Sequence, residues 1–207
     1  MPMHTPPEPS CVHLVDDEAP VRAALEFLLA SHGLAVCSYD GGPALLQRLD
    51  AGPDLRGCIL LDVRMEPLSG LQVYDELVAR GVGTPVIFLT GHGDIRMAVA
   101  ALKKGAFDFV EKPFGDAALV ERVRDALASD AEQQQKRSEG DSRGALLAAL
   151  TAREQEVMHR VAMGKLNKVI ADEMNVSMRT VEVYRARVYA KLGVRSSAEL
   201  ATLLAHS

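Results

Sequence analysis

Five polar side chains, each closing or just following a short apolar run, carry the chemistry that this chain can do. Asp16 and Asp17 follow Cys11-Val-His-Leu-Val15, and Asp62 follows Cys58-Ile-Leu-Leu61. Thr90 follows Pro85-Val-Ile-Phe-Leu89, and Lys112 comes just after Phe107-Asp-Phe-Val110. Three clustered carboxylates repel one another and are costly to hold together unless a cation sits among them. No His or Cys pattern with metal-ligand spacing lies nearby, so the ligands are hard oxygens and Mg²⁺ is the natural ion. A lysine and a threonine opposite the metal complete a pocket for an anion such as a phosphoryl group. Asp62, between metal and lysine, is then placed to be a carboxylate nucleophile that becomes an aspartyl phosphate.

The elements that must position these groups follow from the runs themselves. Short apolar runs separated by helix-length segments predict buried parallel strands in an alternating β/α chain. In such a sheet the carboxyl ends of the strands line one edge, where ligands bind. Residues far apart in sequence are thereby expected at one spot.

Residues 11 to about 128 resemble the receiver domain of two-component response regulators. The resemblance rests on Val15-Asp-Asp-Glu18, Leu61-Asp-Val-Arg-Met65, Ser69-Gly70, Thr90-Gly91 and Lys103-Lys-Gly-Ala-Phe-Asp-Phe-Val-Glu-Lys-Pro-Phe114. It implies an α/β flavodoxin-like doubly wound parallel sheet with strand order 2-1-3-4-5. It also implies roles: Asp62 accepts the phosphoryl group, and Asp16, Asp17, Asp62 and the backbone carbonyl of Arg64 bind Mg²⁺. Thr90 and Lys112 would bind the phosphoryl oxygens, Phe109 would follow the Thr90 hydroxyl, and Lys112–Pro113 matches the family's cis peptide. One position departs from the pattern. At the fourth and fifth positions after the acceptor aspartate, where receivers usually carry Pro-Gly, this chain has Glu66 and Pro67. Glu66 strengthens metal binding, slows phosphorylation or points to solvent, while Ser69 keeps its place to cap the next helix.

Composition bounds the rest. At 207 residues, 48% of them hydrophobic, the chain suits one or two ordinary globular domains. No apolar run approaches the roughly 18 residues that a membrane span needs. The Pro-rich start, residues 1–10, lacks the basic-then-apolar order of a secretory signal and is expected as a flexible tail, which makes a cytoplasmic location the default. The three cysteines form no even framework and no CxxC; they fall on expected strands as small hydrophobes, with Cys11 and Cys58 expected close together on neighbouring strands. Residues 1–145 carry 14 basic and 22 acidic side chains, a net of −8, whereas residues 146–207 carry 9 and 6, a net of +3. An acidic front and a basic tail suit different partners, metal and phosphate first and a polyanion second.

The break between the two falls in Ser129-Asp-Ala-Glu-Gln-Gln-Gln-Lys-Arg-Ser-Glu-Gly-Asp-Ser-Arg-Gly144, whose only apolar side chain is Ala131. Residues 129–145 are expected to bury nothing and to form a linker, part of which can extend the preceding helix. That helix begins near Asp116 and carries Leu119, Val120, Val123 and Leu127 at helical spacing. From residue 146 the pattern is all helix. Thr151-Ala-Arg-Glu154 reads as a capping box, and Gly164 ends the helix it opens. A short helix around Val169–Met174 precedes the turn Asn175-Val-Ser177. Ser177 is expected to cap a longer helix that runs to Leu192 and stops at Gly193. On that helix Val181, Val188 and Leu192 fall inward, whereas Arg179, Glu182, Val183, Ala186 and Arg187 project outward. Two helices on a tight turn, the second longer and basic, suggest helix-turn-helix.

Residues 146–207 resemble the LuxR-type helix-turn-helix of NarL/FixJ-family regulators. Leu150-Thr-Ala-Arg-Glu-Gln-Glu-Val157, Asn167-Lys-Val-Ile-Ala171, Arg179-Thr-Val-Glu-Val-Tyr-Arg-Ala-Arg-Val188 and Lys191-Leu-Gly-Val-Arg-Ser196 carry the resemblance; Tyr184 and Met178 are mild departures from the common His and Pro. It implies a small all-α domain whose third helix enters the major groove of double-stranded DNA. Glu182, Val183 and Ala186 would read bases, with Lys165, Thr180, Arg187 and Lys191 on phosphates and Arg179 beside them. In the last helix, Leu200, Leu203 and Leu204 form either a pairing surface between DNA-bound domains or intramolecular core.

The two resemblances together imply a phosphorylation-controlled transcription factor. Its partners would be a sensor histidine kinase, DNA, RNA polymerase and a second copy of itself, paired through the fourth helix (Asp94–Lys104) and fifth strand; activation is the commoner outcome. Beyond its own phosphotransfer and dephosphorylation the chain is expected to be no enzyme. A haloacid-dehalogenase-type phosphatase needs a second Asp where this chain has Arg64. The remaining alternative is a DNA-binding regulator whose receiver answers to a partner or ligand rather than to phosphate.

Overall fold

A computed structural model describes residues 10–52, 55–91 and 95–205. The expected tail up to residue 9 and the expected helix start at Asp94 lie outside the described residues. The chain divides into two compact units, residues 1–134 and 135–207.

The first unit alternates strand and helix as the apolar runs demand. Its strands are β1 (Cys11–Val15), β2 (Val36–Tyr39), β3 (Gly57–Asp62), β4 (Val86–Thr90) and β5 (Asp108–Glu111). They pair in parallel in the order β2-β1-β3-β4-β5. Between and after them run α1 (Ala19–Ser31), α2 (Gly42–Ala51), α3 (Gly70–Ala79), α4 (Ile95–Lys103) and α5 (Asp116–Ala148).

Strand side chains alternate between faces, so a strand buried on both is largely apolar and feeds two cores at once. Val15, Ile59, Leu61, Val86 and Phe88 pack on one face against Leu45 of α2, Val73, Tyr74 and Leu77 of α3, and Ala101 of α4. Val12, Leu14, Cys58, Leu60, Ile87 and Leu89 pack on the other against Leu25 and Leu29 of α1 and Leu119, Val120, Val123 and Ala126 of α5. Burial on both faces pins the register, because a slip by one residue would exchange the two sets.

Two details differ from expectation. Residues 129–145 are helical, as part of α5, and Asp130 within them is 2% exposed. Its Oδ2 accepts the backbone N–H of Gly57 at 2.9 Å, the first residue of β3. The stretch offers almost no apolar side chains, yet a carboxylate is buried when a backbone donor waits for it. The second difference concerns the cysteines. Cys11 lies opposite Gly57 and Cys58 opposite Val12, so the two thiols point to different faces, and the neighbour of Cys11 is Cys37 on β2.

The second unit contains α6 (Ala152–Ala162), α7 (Asn167–Met174), α8 (Met178–Leu192) and α9 (Ser197–Ala205). Thr151 and Glu154 form the reciprocal capping box, and Ser177 Oγ accepts the Thr180 N–H. Asn175 and Gly193 close α7 and α8 in the left-handed conformation, with φ of 54° and 68°. Val157, Met158, Val161, Ile170, Met174, Val181, Val188, Leu192 and Leu200 make the core. Leu203 and Leu204 pack half-buried against it.

Candidate functional site

The carboxyl ends of β1, β3, β4 and β5 bring the expected residues together. Asp16 (1% exposed) and Asp62 (6%) are both buried. Lys112 Nζ donates to Asp62 Oδ1 at 2.6 Å and reaches Asp16 Oδ2 at 3.4 Å. Asp62 Oδ2 accepts the N–H of Arg64 at 2.7 Å, and Asp16 Oδ1 accepts the N–H of Glu18 at 2.9 Å. Asp17 is exposed at the rim, where its Oδ2 accepts the N–H of Glu66 at 3.1 Å. Glu66 is exposed. Both Glu66–Pro67 and Lys112–Pro113 are cis.

Local sequence explains how the loops meet. Ser69 and Gln72 form a capping box that starts α3, and Gly70 follows at once. A Cβ on Gly70 would stand 2.1 Å from the carbonyl oxygen of Asp62, so only glycine lets α3 begin this close to the end of β3. Lys112 N–H donates to the Thr90 carbonyl at 2.7 Å, which fixes the lysine beside β4.

The electrostatics are those of a site short of positive charge. Burial, aided by the neighbouring Asp16 charge, pushes Asp62 above the usual carboxylate range, although Lys112 and the Arg64 N–H pull the other way. Burial alone would lower Lys112, but its hydrogen bond to Asp62 and the two carboxylate charges outweigh that and hold it above the usual range. One ammonium does not balance two buried carboxylates and the rim carboxylate of Asp17. The hydroxyl of Thr90 adds a second deficit: it is fully buried, and among the described residues Oγ1 has no hydrogen-bond partner. A buried polar atom without a partner marks a place built for something else. An all-oxygen donor set suits a hard cation, and a lysine with an unbonded hydroxyl suits an anion. Phe109 is half-buried on β5, opposite Phe88, on the face that α4 covers.

In the second unit, α8 turns Val181, Val188 and Leu192 inward and leaves Arg179, Glu182, Val183, Ala186 and Arg187 exposed. A shallow concavity of about 270 Å³ lies along it, lined by Ser177, Arg179, Thr180, Val183, Tyr184 and Arg187. Two of the expected phosphate contacts are engaged within the domain. Lys165 is paired with Glu173. Lys191 Nζ donates to Glu154 Oε2 at 2.7 Å and to the Ala149 carbonyl at 3.1 Å. Sequence reasoning missed Arg185, which turns inward to donate to Asn167 Oδ1 at 2.6 Å and Tyr189 Oη at 2.8 Å.

Comparison with known proteins agrees with both halves. Residues 12–124 match the response regulator receiver domain, and residues 148–204 match the luxR family of bacterial regulatory proteins. The chain is 47% identical over 195 residues to the transcriptional regulatory protein FixJ of Azorhizobium caulinodans, covering 94% of this chain and 91% of that one. It belongs to the NarL/FixJ family of response regulators. The C4-dicarboxylate transport transcriptional regulatory protein DctR of Rhodobacter capsulatus is 46% identical over 93% of this chain and 98% of its own. Among solved structures, response regulator StyR superposes with a TM-score of 0.89 at 38% identity, covering 96% of this chain and 99% of that chain. Full-length FixJ from B. japonicum gives 0.60 at 36% identity, over 95% and 96% of the two chains. The chain is therefore a transcription factor of the FixJ type, a receiver followed by a DNA-binding domain. No described helix is long and apolar enough to cross a membrane.

Proposed function

We propose that this response regulator is switched by phosphorylation of Asp62 and that the switch drives dimerisation and sequence-specific DNA binding. The observation that carries the reading is the pairing of buried Asp62 with half-buried Lys112, beside a Thr90 hydroxyl that has no hydrogen-bond partner among the described residues. A carboxylate oxygen of Asp62 attacks the phosphorus of a phosphohistidine on a sensor histidine kinase. The new O–P bond forms as the N–P bond breaks, and the electron pair leaves with the imidazole. Lys112 follows the charge onto the phosphoryl oxygens, and Thr90 turns its hydroxyl to donate to one of them.

Asp16, Asp17, Asp62 and the carbonyl of Arg64 would hold Mg²⁺, which when bound offsets the negative charge of carboxylates and phosphoryl group. Once Thr90 turns inward, Phe109 fills the space it leaves, and the surface of α4 and β5 repacks. That surface already exposes Met97 (40%) and Val99 (41%), and Phe107 (36%) lies just before β5. Exposed apolar side chains on α4 and beside β5 suit a second copy of the same surface.

Dimerisation sets two α8 helices on adjacent half-sites of double-stranded DNA. Glu182, Val183 and Ala186 meet base edges, while Arg179, Thr180 and Arg187 hold phosphates. Lys165 and Lys191 reach DNA only by exchanging Glu173 and Glu154 for phosphate. Bound in this way in the cytoplasm, the dimer recruits RNA polymerase and activates transcription.

The test is molar mass by light scattering with Mg²⁺, before and after beryllofluoride, which mimics an aspartyl phosphate. A shift from monomer to dimer in the wild type and none in Asp62→Asn is the expected result. An unshifted wild type with Mg²⁺ shown to bind would instead favour control by a partner or ligand, the reading that a charged Glu66 at the rim leaves open.

A further inference from the structure

At the edge of the sheet opposite Asp62, three soft donors converge that the phosphorylation chemistry does not use. Cys11 and His13 lie two apart on β1 and so share a face, and the register sets Cys37 of β2 opposite His13. Cys11 Sγ stands 2.8 Å from Cys37 Sγ, 3.5 Å from His13 Nε2 and 3.8 Å from His13 Nδ1. One ligand atom from each of the three residues lies within 4.8 Å of the others. We propose that Cys11, His13 and Cys37 form a zinc site that ties the edge strand β2 to β1.

The donor set decides the class of ion. Two thiols and an imidazole select a soft or borderline ion over the hard cation that the acidic end of the sheet would take. The imidazole is already oriented for ligation. His13 Nε2 lies 3.2 Å from the Arg56 carbonyl, which can only accept, so in the neutral ring Nε2 carries the proton and Nδ1 keeps its lone pair. A backbone carbonyl behind the ring is the usual outer partner of a ligating histidine. Tyr39 Oη, 3.1 Å from Nδ1, then donates to that lone pair in the metal-free site and must yield to the ion.

The distances are close to those needed. With Zn–S near 2.3 Å and Zn–N near 2.0 Å, tetrahedral geometry sets the nitrogen and sulfur about 3.6 Å apart and the two sulfurs about 3.8 Å apart. The Cys11 Sγ to His13 Nδ1 distance of 3.8 Å meets the first condition. The sulfurs must part by about 1 Å. Cys37 is exposed on an edge strand and is free to rotate by that amount. Three protein donors leave a fourth position for water. Cys58 cannot substitute, because it packs in the opposite core and burial pushes its thiol up to about 12.

The full chain, stripped of metal and kept reduced with a phosphine, is titrated with Zn²⁺ against a chromophoric chelator and separately with Co²⁺. The expected result is one equivalent per chain, with thiolate-to-cobalt charge-transfer absorption. Cys37→Ser, at an exposed position that should not disturb folding, should weaken binding by on the order of 100-fold or more, and Asp62→Asn should leave it unchanged. Absence of one-equivalent binding, absence of the thiolate band, or wild-type affinity in Cys37→Ser would overturn the proposal. So would loss of two titratable thiols and two mass units on peroxide treatment in a chain that binds no zinc, which assigns the pair to a disulfide.

Discussion

Replacing Thr90 with Val should stabilise the receiver while disabling its switch, two effects of opposite sign from one hydroxyl. Thr90 is fully buried at the end of β4, and among the described residues its Oγ1 has no hydrogen-bond partner. A buried hydroxyl left without a partner costs about 1–3 kcal/mol, and valine keeps the shape of threonine without that atom. Taking the lower part of that range, because neighbouring loops can relax, the variant should gain about 1–2 kcal/mol. For a domain of this size that is a rise of roughly 3–8 °C in the receiver's thermal transition. Against this, a hydroxyl donating to a charged phosphoryl oxygen is worth about 1.5–3 kcal/mol. Its loss should weaken the coupling between beryllofluoride binding and dimerisation by roughly 10- to 150-fold. Urea unfolding with and without Mg²⁺ measures the first effect, and light scattering across a beryllofluoride titration measures the second. A Thr90→Val chain that is less stable than wild type would show that the hydroxyl is already satisfied in the resting state.

Three further outcomes follow from particular contacts. Asp130→Ala removes the side-chain acceptor of the Gly57 N–H and should cost the receiver about 1.5–3 kcal/mol in urea unfolding; Asp130→Asn, which can still accept that bond, should lose much less. The Lys191 hydrogen bond, then the Thr151 N–H, holds Glu154 down at about 2, below its ordinary 4.5. The stability of the second unit from this contact is therefore complete above about pH 4.5 and fades as pH falls toward 2. Glu154→Gln should flatten that acid limb, as followed by circular dichroism. Arg187→Ala should weaken binding to all DNA sequences alike and reduce the salt slope of the affinity by about 1, whereas Glu182→Gln should change base preference with the slope intact.

The parts of this molecule that the sequence makes legible are those in which one residue type has one physical role. Apolar runs at β1, β3 and β4 could only be buried strands, and the polar residues closing them had to share an edge, so Asp16, Asp62, Thr90 and Lys112 were found together. Helix ends were equally open to reading, since Ser69, Thr151 and Ser177 each carry a side chain that caps. Asp130 was not legible. Its role depends on a backbone donor 73 residues away, and a polar stretch without apolar anchors reads as linker by every local measure. The cysteine neighbourhood was misread for a related reason. Strand adjacency was correctly inferred for β1 and β3, but only the register tells which face each thiol takes, and it pairs Cys11 with the β2 side. A Cys-x-His on a strand, placing both side chains on one face, was the available signal.

The resting receiver carries its two deficits in the same place, and that coincidence bears on how a small modification can move a surface across the fold. Asp62 and Asp16 share one ammonium, and the Thr90 hydroxyl has no partner among the described residues. Both groups sit on strands packed on both faces, so the backbone that carries them is fixed and the side chains must answer to any group bound there. A ligand shifts an equilibrium only by its differential affinity for the two states. A phosphoryl group on Asp62 supplies such a difference if Lys112 and Thr90 can donate to it fully only after Thr90 turns inward. The space beside Phe109 is then the cost of the active state and the new hydrogen bonds its gain. Removing the hydroxyl by Thr90→Val, or emptying the space by Phe109→Ala, should therefore move the dimerisation equilibrium without preventing phosphoryl transfer to Asp62. Phosphotransfer from a small-molecule donor should proceed in both variants while their dimerisation departs from wild type, and loss of phosphotransfer in either would place Thr90 or Phe109 in the chemical step instead.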